Sequence, residues 1–147
     1  FGDVELTVAC ASELLKKVPE FDVILTAEAK GIPLAYEMSR QSGKLYIPAR
    51  KGPKLYMEEP VVVEDRSITT EAVQRLVIDK KDLAAMDGKR ILIVDDVIST
   101  GGSLHALETL AAKSSGTVVA KAAVLAEGEA ADRGDIVFLA PLPLFFK

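Results

Sequence analysis

Tryptophan is absent from this sequence, and cysteine and histidine occur once each, as Cys10 and His105. A single cysteine excludes an internal disulfide and fits a reducing, cytoplasmic compartment, where Cys10 is expected to be a small core residue. Aromatic side chains make up only 5% of the chain, and Leu, Ile and Val dominate. That balance suits a parallel α/β core better than a β-sandwich. There is no positive excess either: the formal net charge is -4, so no overall basic field argues for nucleic acid. No apolar run approaches the roughly 20 residues of a membrane span. No signal-peptide pattern is visible, although the chain opens on Phe1 rather than Met. Repeats, low-complexity tracts and linkers are lacking too. With 147 residues and 49% hydrophobic content, one domain over 1–147 with a full core is expected.

What is present alternates. Helical spacing over "LTVACASELLKKV" lets Leu6, Ala9, Leu14 and Val18 share a face. "DVILTA" (22–27) is a short β-branched run read as a buried strand. A helix follows in "IPLAYEMSRQSG", with Pro33 suited to its first turn and Gly43 to its stop. "KLYIPA" predicts the next strand and "RKGPKLYM" a basic loop. "PVVVED" and "VQRLVID", joined by polar "RSITTE", predict a flexible hairpin or arm (about 58–74) projecting from the core. "DLAAMDG" reads as a connector and "RILIVDD" as a strand. Leu104, Leu107, Leu110 and Ala111 then recur at helical intervals up to Gly116, and "TVVAKAAVL" predicts another strand. A last strand is expected in the tail, ahead of a Pro-interrupted apolar segment. Alternating strands and helices predict an α/β fold, a doubly wound and mostly parallel sheet with helices on both faces. Ligands of such a sheet bind at the strand C-termini.

The most informative stretch is "ILIVDDVISTGGS" (91–103), where four apolar residues run into Asp95 and Asp96 and then a loop of hydroxyls and glycines. Ser99 and Thr100 offer hydroxyls, Gly101 and Gly102 let the backbone approach a ligand, and Ser103 opens a helix. Backbone N–H groups at a helix N-terminus form a ready phosphate site. Neither the Lys of the nucleotide-hydrolase P-loop nor a G-x-G-x-x-G pattern is present. The two carboxylates would repel a phosphate, but they can accept hydrogen bonds from vicinal hydroxyls. One ligand with a phosphate at one end and a diol beside it satisfies both: a ribose 5-phosphate. A receiver-domain phospho-acceptor is disfavoured, since its acidic pair follows the first strand and this one comes late.

The same string resembles the phosphoribosyl-pyrophosphate signature of the type I phosphoribosyltransferases. "TAEAKG" (26–31) resembles the pyrophosphate loop of the purine members, in the E-A-[RK]-G form of adenine phosphoribosyltransferases. "ARKGPKL" (49–55) resembles their R-K-x-x-K-L stretch. The resemblance implies transfer of ribose 5-phosphate from phosphoribosyl pyrophosphate to a purine base, with adenine favoured, in purine salvage. It implies Asp95, Asp96 and Arg50 as catalytic residues, with Glu64 in a mobile catalytic loop. The implied substrate-binding set is Glu28, Ala29, Lys30, Gly31, Arg50, Lys51 and Lys54, then Asp95, Asp96, Val97 and Ile98, and the loop Ser99, Thr100, Gly101, Gly102 and Ser103. Magnesium (Mg2+) is expected, bridging pyrophosphate and ribose oxygens without an all-protein cage. A homodimer is expected as well, with Tyr56 and Met57 as packing or dimer residues. His105 is assigned a helix-face role rather than catalysis.

Two features depart from the family. Only about 27 residues precede the "EAKG" loop, so an N-terminal hood over the base is short, absent or cut off. A small C-terminal hood over 135–147, with Leu142, Leu144 and Phe145 as its apolar wall, is expected in its place. The second departure is "KGIPLAY" (30–36), which also resembles the effector domain of bacterial purine-operon repressors. Those bind phosphoribosyl pyrophosphate without turning it over, so a sensor is the alternative reading; nothing here resembles their winged-helix DNA-binding domain.

Overall fold

The computed structural model describes residues 4–52, 57, 59–66, 73–98, 102–127 and 136–142. In chain order the elements are α1 (Val4–Lys17), β1 (Val23–Ala27), α2 (Ile32–Ser42), β2 (Leu45–Ala49), β3 (Pro60–Arg66) and β4 (Val73–Asp79). Then follow α3 (Lys80–Ala85), β5 (Arg90–Ile98), α4 (Gly102–Ala111), β6 (Thr117–Glu127) and β7 (Ile136–Leu142). Five of the strands form one sheet in the order β2-β1-β5-β6-β7, each neighbouring pair parallel, while β3 and β4 form an antiparallel hairpin. The chain passes outward from β1 to β2 and returns on the other side of β1 to β5. The topological switch point therefore lies between β1 and β5, and a crevice is expected beyond their C-terminal ends.

The central strands β1 and β5 bury both faces over Val23–Ala27 and Ile91–Val94, as a parallel sheet between helices requires. Ile24, Leu92 and Val94 pack with α1 and α2 through Cys10, Ala11, Leu14, Leu34, Ala35 and Met38. Their chain neighbours Val23, Leu25, Ile91 and Ile93 point the other way, into α4 at Leu104, Leu107 and Leu110. Fully burying one such leucine contributes about 1.5–3 kcal/mol. Helix α2 obeys its punctuation: Pro33 stands in the first turn, and Gly43 ends the helix at φ 74°, donating its N–H to Ser39 O at 2.8 Å.

Helix α1 corrects the expected face. Its buried residues are Thr7, Cys10, Ala11 and Leu14, while Ala9 is exposed and Leu6 is 53% exposed. The true stripe follows i, i+3, i+4, i+7 but counts a threonine among its members. The "DLAAMDG" connector contains the short helix α3. The hairpin is present as expected, but its root is part of the core: Val63, Leu76 and Ile78 are buried against α4. Of the stretch expected as a hood, residues 136–142 form the sheet's edge strand β7, and Leu144 and Phe145 lie outside the described residues. Cys10 is buried, and burial pushes its thiol pKa up. His105 stands exposed on α4. No helix among the described residues is long and apolar enough to cross a membrane.

Candidate active site

Three segments meet at the switch point. The first is the turn after β1, Glu28 to Gly31, where the peptide bond between Glu28 and Ala29 is cis and Glu28 donates its N–H to Ala49 O at 2.8 Å. The second is the start of the basic loop, Arg50 and Lys51, directly after β2. The third is the end of β5, carrying Asp95 and Asp96.

Glu28 joins the first two. Its Oε2 accepts the Lys51 backbone N–H at 2.9 Å, and its Oε1 stands 3.8 Å from Arg50 Nη1. The carboxylate expected to touch substrate thus holds the start of the basic loop at Arg50 and Lys51. Arg50 is fixed from behind as well, exchanging backbone hydrogen bonds of 2.8 and 2.7 Å with Val77 on β4. Its guanidinium Nε is buried without an acceptor among the described residues. A buried charged donor left unsatisfied is costly, so this atom is suited to an incoming anion. Ala29 and Lys30 are exposed on the turn.

Gly31 joins the turn to the acids. A Cβ built there would collide with Thr26 Oγ1 and stand 3.4 Å from Asp95 Oδ1 and 3.5 Å from Asp95 Cα. Only glycine permits that approach. Asp95 and Asp96 are half-buried, and each carboxylate accepts the following backbone N–H at 2.8 Å, from Asp96 and Val97 in turn. Burial, with Asp96 alongside, pushes the Asp95 carboxyl up to about 7, and the cation of Lys30 opposes the shift only in part. An acid in this state is poised to accept hydrogen bonds from a ligand or to share a proton at neutral pH.

Other expected site residues fall elsewhere. β5 extends through Val97 and Ile98, paired with Leu125 and Ala126 of β6, and the Ile98 side chain lies in the core. That leaves only backbone groups of Ile98 for a ligand. Glu64 stands on the exposed face of the hairpin, where Arg75 Nη2 reaches its Oε1 at 2.8 Å. Its carboxylate is taken up by Arg75 rather than grouped with the acids of β5. Gly102 and Ser103 open α4. Lys54, Ser99, Thr100 and Gly101 lie outside the described residues. The sequence reading missed two contributors, Thr26 beneath Gly31 and Val77 behind Arg50. Thr26 carries a weak signal, a lone hydroxyl in an apolar strand; Val77 carries none.

The chain is similar in sequence and fold to known proteins. A family model described as a phosphoribosyl transferase domain matches residues 9–138. The adenine phosphoribosyltransferase of Thermotoga petrophila is 38% identical over 103 residues, 70% of this chain and 58% of that protein. The enzyme of that name from Rhodococcus jostii is 33% identical over 122 residues, covering 83% and 63% respectively. The chain thus spans about six tenths of the length of these relatives. Among solved structures, an adenine phosphoribosyltransferase from Thermoanaerobacter pseudethanolicus superposes with a TM-score of 0.78 at 25% identity, covering 95% of this chain and 80% of that one. The Trypanosoma brucei enzyme, in complex with AMP, pyrophosphate and ribose-5-phosphate, shares the fold at a TM-score of 0.78 and 17% identity, over 95% of this chain and 65% of that one. With Asp95 and Asp96 beside the β1/β5 switch point and a family match across nearly the whole sheet, the chain belongs to the phosphoribosyl transferase domain family.

Proposed function

We propose that this protein transfers ribose 5-phosphate from phosphoribosyl pyrophosphate to a purine base, adenine first among them, releasing pyrophosphate and a nucleoside 5′-monophosphate. The observation that carries the reading is the meeting of two chemically opposite half-sites at Gly31. On one side lie Asp95 and Asp96, acceptors for ribose hydroxyls. On the other lie Lys30, Arg50 and Lys51, cations for the pyrophosphate. As the C1–O bond to pyrophosphate breaks, negative charge grows on the leaving group. Cations held in advance by Glu28 and Val77 stabilise that charge more than they stabilise the ground state. The carboxylates orient the ribose as its ring gains oxocarbenium character. The hairpin of β3 and β4 is suited to cover the site and exclude water.

Magnesium fits the donors present. Asp95 and Asp96 offer the hard oxygens that this ion takes through its bound waters. No group of three or more His, Cys, Asp or Glu able to hold a metal occurs among the described residues. The ion would be carried mainly by the pyrophosphate, whose charge it neutralises. Preference for adenine rests on the names of the relatives and on the "EAKG" turn. A homodimer belongs to the same reading: Tyr36 and Leu45, each 56% exposed beside the edge strand β2, are apolar surface that a second copy would cover. A cytoplasmic location, with the lone thiol reduced, completes it.

The test is formation of a nucleoside monophosphate from phosphoribosyl pyrophosphate, magnesium and each nucleobase, followed by absorbance. Turnover is expected with adenine fastest. Tight binding of phosphoribosyl pyrophosphate with no base consumed would instead establish a sensor.

A further inference from the structure

We infer that Thr26 is the positioning residue that keeps the two half-sites in register, and so sets how well a ligand spanning both will fit. Strands β1 and β5 pair from Val23 with Ile91 to Thr26 with Val94 and then part. Beyond that rung β1 pairs only with β2, at Ala27 and Ala49, while β5 pairs onward with β6 as far as Ile98 and Ala126. The two strands diverge one residue past Thr26. At this fork the Thr26 side chain is fully buried, and its Oγ1 donates a 2.7 Å hydrogen bond to the carbonyl of Val94, the residue before Asp95. The same oxygen lies against Gly31, whose missing Cβ would collide with it. One hydroxyl therefore touches the end of the acidic strand and the turn of the anion loop together.

The chemistry of threonine suits this place. Its β-branched side chain is stiff at χ1, and the Val94 bond selects one rotamer. The hydroxyl oxygen is smaller than a methyl group, so Gly31 can settle on it. Valine has the same outline but would leave the Val94 carbonyl without this donor and push Gly31 outward. The acids and the cations would each keep their own structure while the spacing between them changed. Thr26 touches no substrate; it acts through Asp95 and Gly31.

The inference rests on the reading that one phosphoribosyl pyrophosphate spans both halves, and its test separates the halves. Pyrophosphate and ribose 5-phosphate each engage one side only. Calorimetry with magnesium and each of the three compounds is run on the wild type, Thr26→Val and Thr26→Ser. Thr26→Val is expected to bind phosphoribosyl pyrophosphate more weakly by roughly 10-fold or more, the loss of about one hydrogen bond's net worth between the ligand and one half-site. Both fragments should stay within about threefold of wild type, and Thr26→Ser, which keeps the hydroxyl, should restore the full ligand to within the same factor. A second arm guards against a Thr26→Val protein that does not fold. Gly31→Ala should be partly rescued by Thr26→Ala, because the new methyl enters the space the hydroxyl vacated. Equal losses on fragments and full ligand, a serine variant as weak as valine, or strictly additive Gly31 and Thr26 effects would each overturn the inference. Because every readout is binding, a protein that binds phosphoribosyl pyrophosphate but consumes no base defeats the enzyme reading alone. Normal turnover with an unimpaired Thr26→Val defeats the positioning role alone.

Discussion

Strands β1 and β5 carry an aspartate at or near each end of their pairing, and the two meet opposite fates. At the entry end, Asp22 accepts three hydrogen bonds from Arg90: Nε at 3.0 Å, Nη2 at 2.9 Å and the backbone N–H at 2.9 Å. Those bonds hold its carboxyl well below the usual carboxylate range. At the exit end, Asp95 is buried beside Asp96 and its carboxyl is pushed up to about 7. One end of the strand pair is electrostatically satisfied and ties the sheet; the other is left frustrated where a ligand arrives. In a doubly wound sheet the strand N-termini are free to serve stability, whereas the C-termini must keep polar groups unspent.

The largest effect should come from the exit end. Asp95→Asn combined with Asp96→Asn is expected to weaken binding of phosphoribosyl pyrophosphate by roughly 100-fold or more, since hydrogen bonds to charged groups are each worth about 1.5–3 kcal/mol. The circular dichroism spectrum should be unchanged. Unaltered affinity by calorimetry would remove the ribose from this strand end. Next comes the cationic side: Arg50→Gln with Lys51→Gln should lower turnover about 100-fold, by analogy with the loss of one donor to a developing anion. Binding of ribose 5-phosphate should hardly change. Equal losses in the two assays would mean that these residues support structure only.

The exit end of this contrast is legible in the sequence, for local reasons, whereas the Asp22–Arg90 pair at the entry end is not. The switch from "ILIV" to "DD", the glycines and the paired basic residues each announce their chemistry within a few positions, and α2 and α4 carry clear stops or spacing. What stayed hidden depends on partners distant in the chain. Nothing near Arg50 signals that Val77 anchors it, and nothing near Glu28 signals that its carboxylate holds Lys51. The α1 face departs from the apolar spacing because Thr7 and Cys10, not Leu6 and Ala9, are buried once α1 packs on α2. Helix α3 has six residues and none of them buried, so it leaves no apolar period to read.

Stability against pH sharpens the comparison further. A carboxyl with a raised folded pKa keeps its proton in the folded protein at pH values where the unfolded chain has lost it. From the unfolded value near 3.9 up to about 7, Asp95 therefore lowers stability as pH rises, and above that window its full penalty is present. Asp95→Asn should stabilise the ligand-free protein at pH 8, with the gain shrinking toward pH 4. Urea unfolding at both pH values checks this; an Asn variant less stable than wild type at pH 8 would contradict the burial of an uncompensated charge.

The smallest effect belongs to Asp22→Asn. Here the folded pKa is depressed, so the stabilisation is present above the unfolded value near 3.9 and disappears as pH falls through the folded one. The ion pair is largely exposed, with side-chain accessibilities of 47% for Arg90 and 30% for Asp22, and exposed pairs contribute little. The variant should show a slightly lower unfolding midpoint at pH 7, and the difference should narrow in acid and in high salt. Affinity for phosphoribosyl pyrophosphate should be untouched, because the proposed site lies at the opposite end of the strands. A binding defect in Asp22→Asn, with the fold intact, would show that the two ends of the β1/β5 pair are mechanically coupled and that their division of labour is not real.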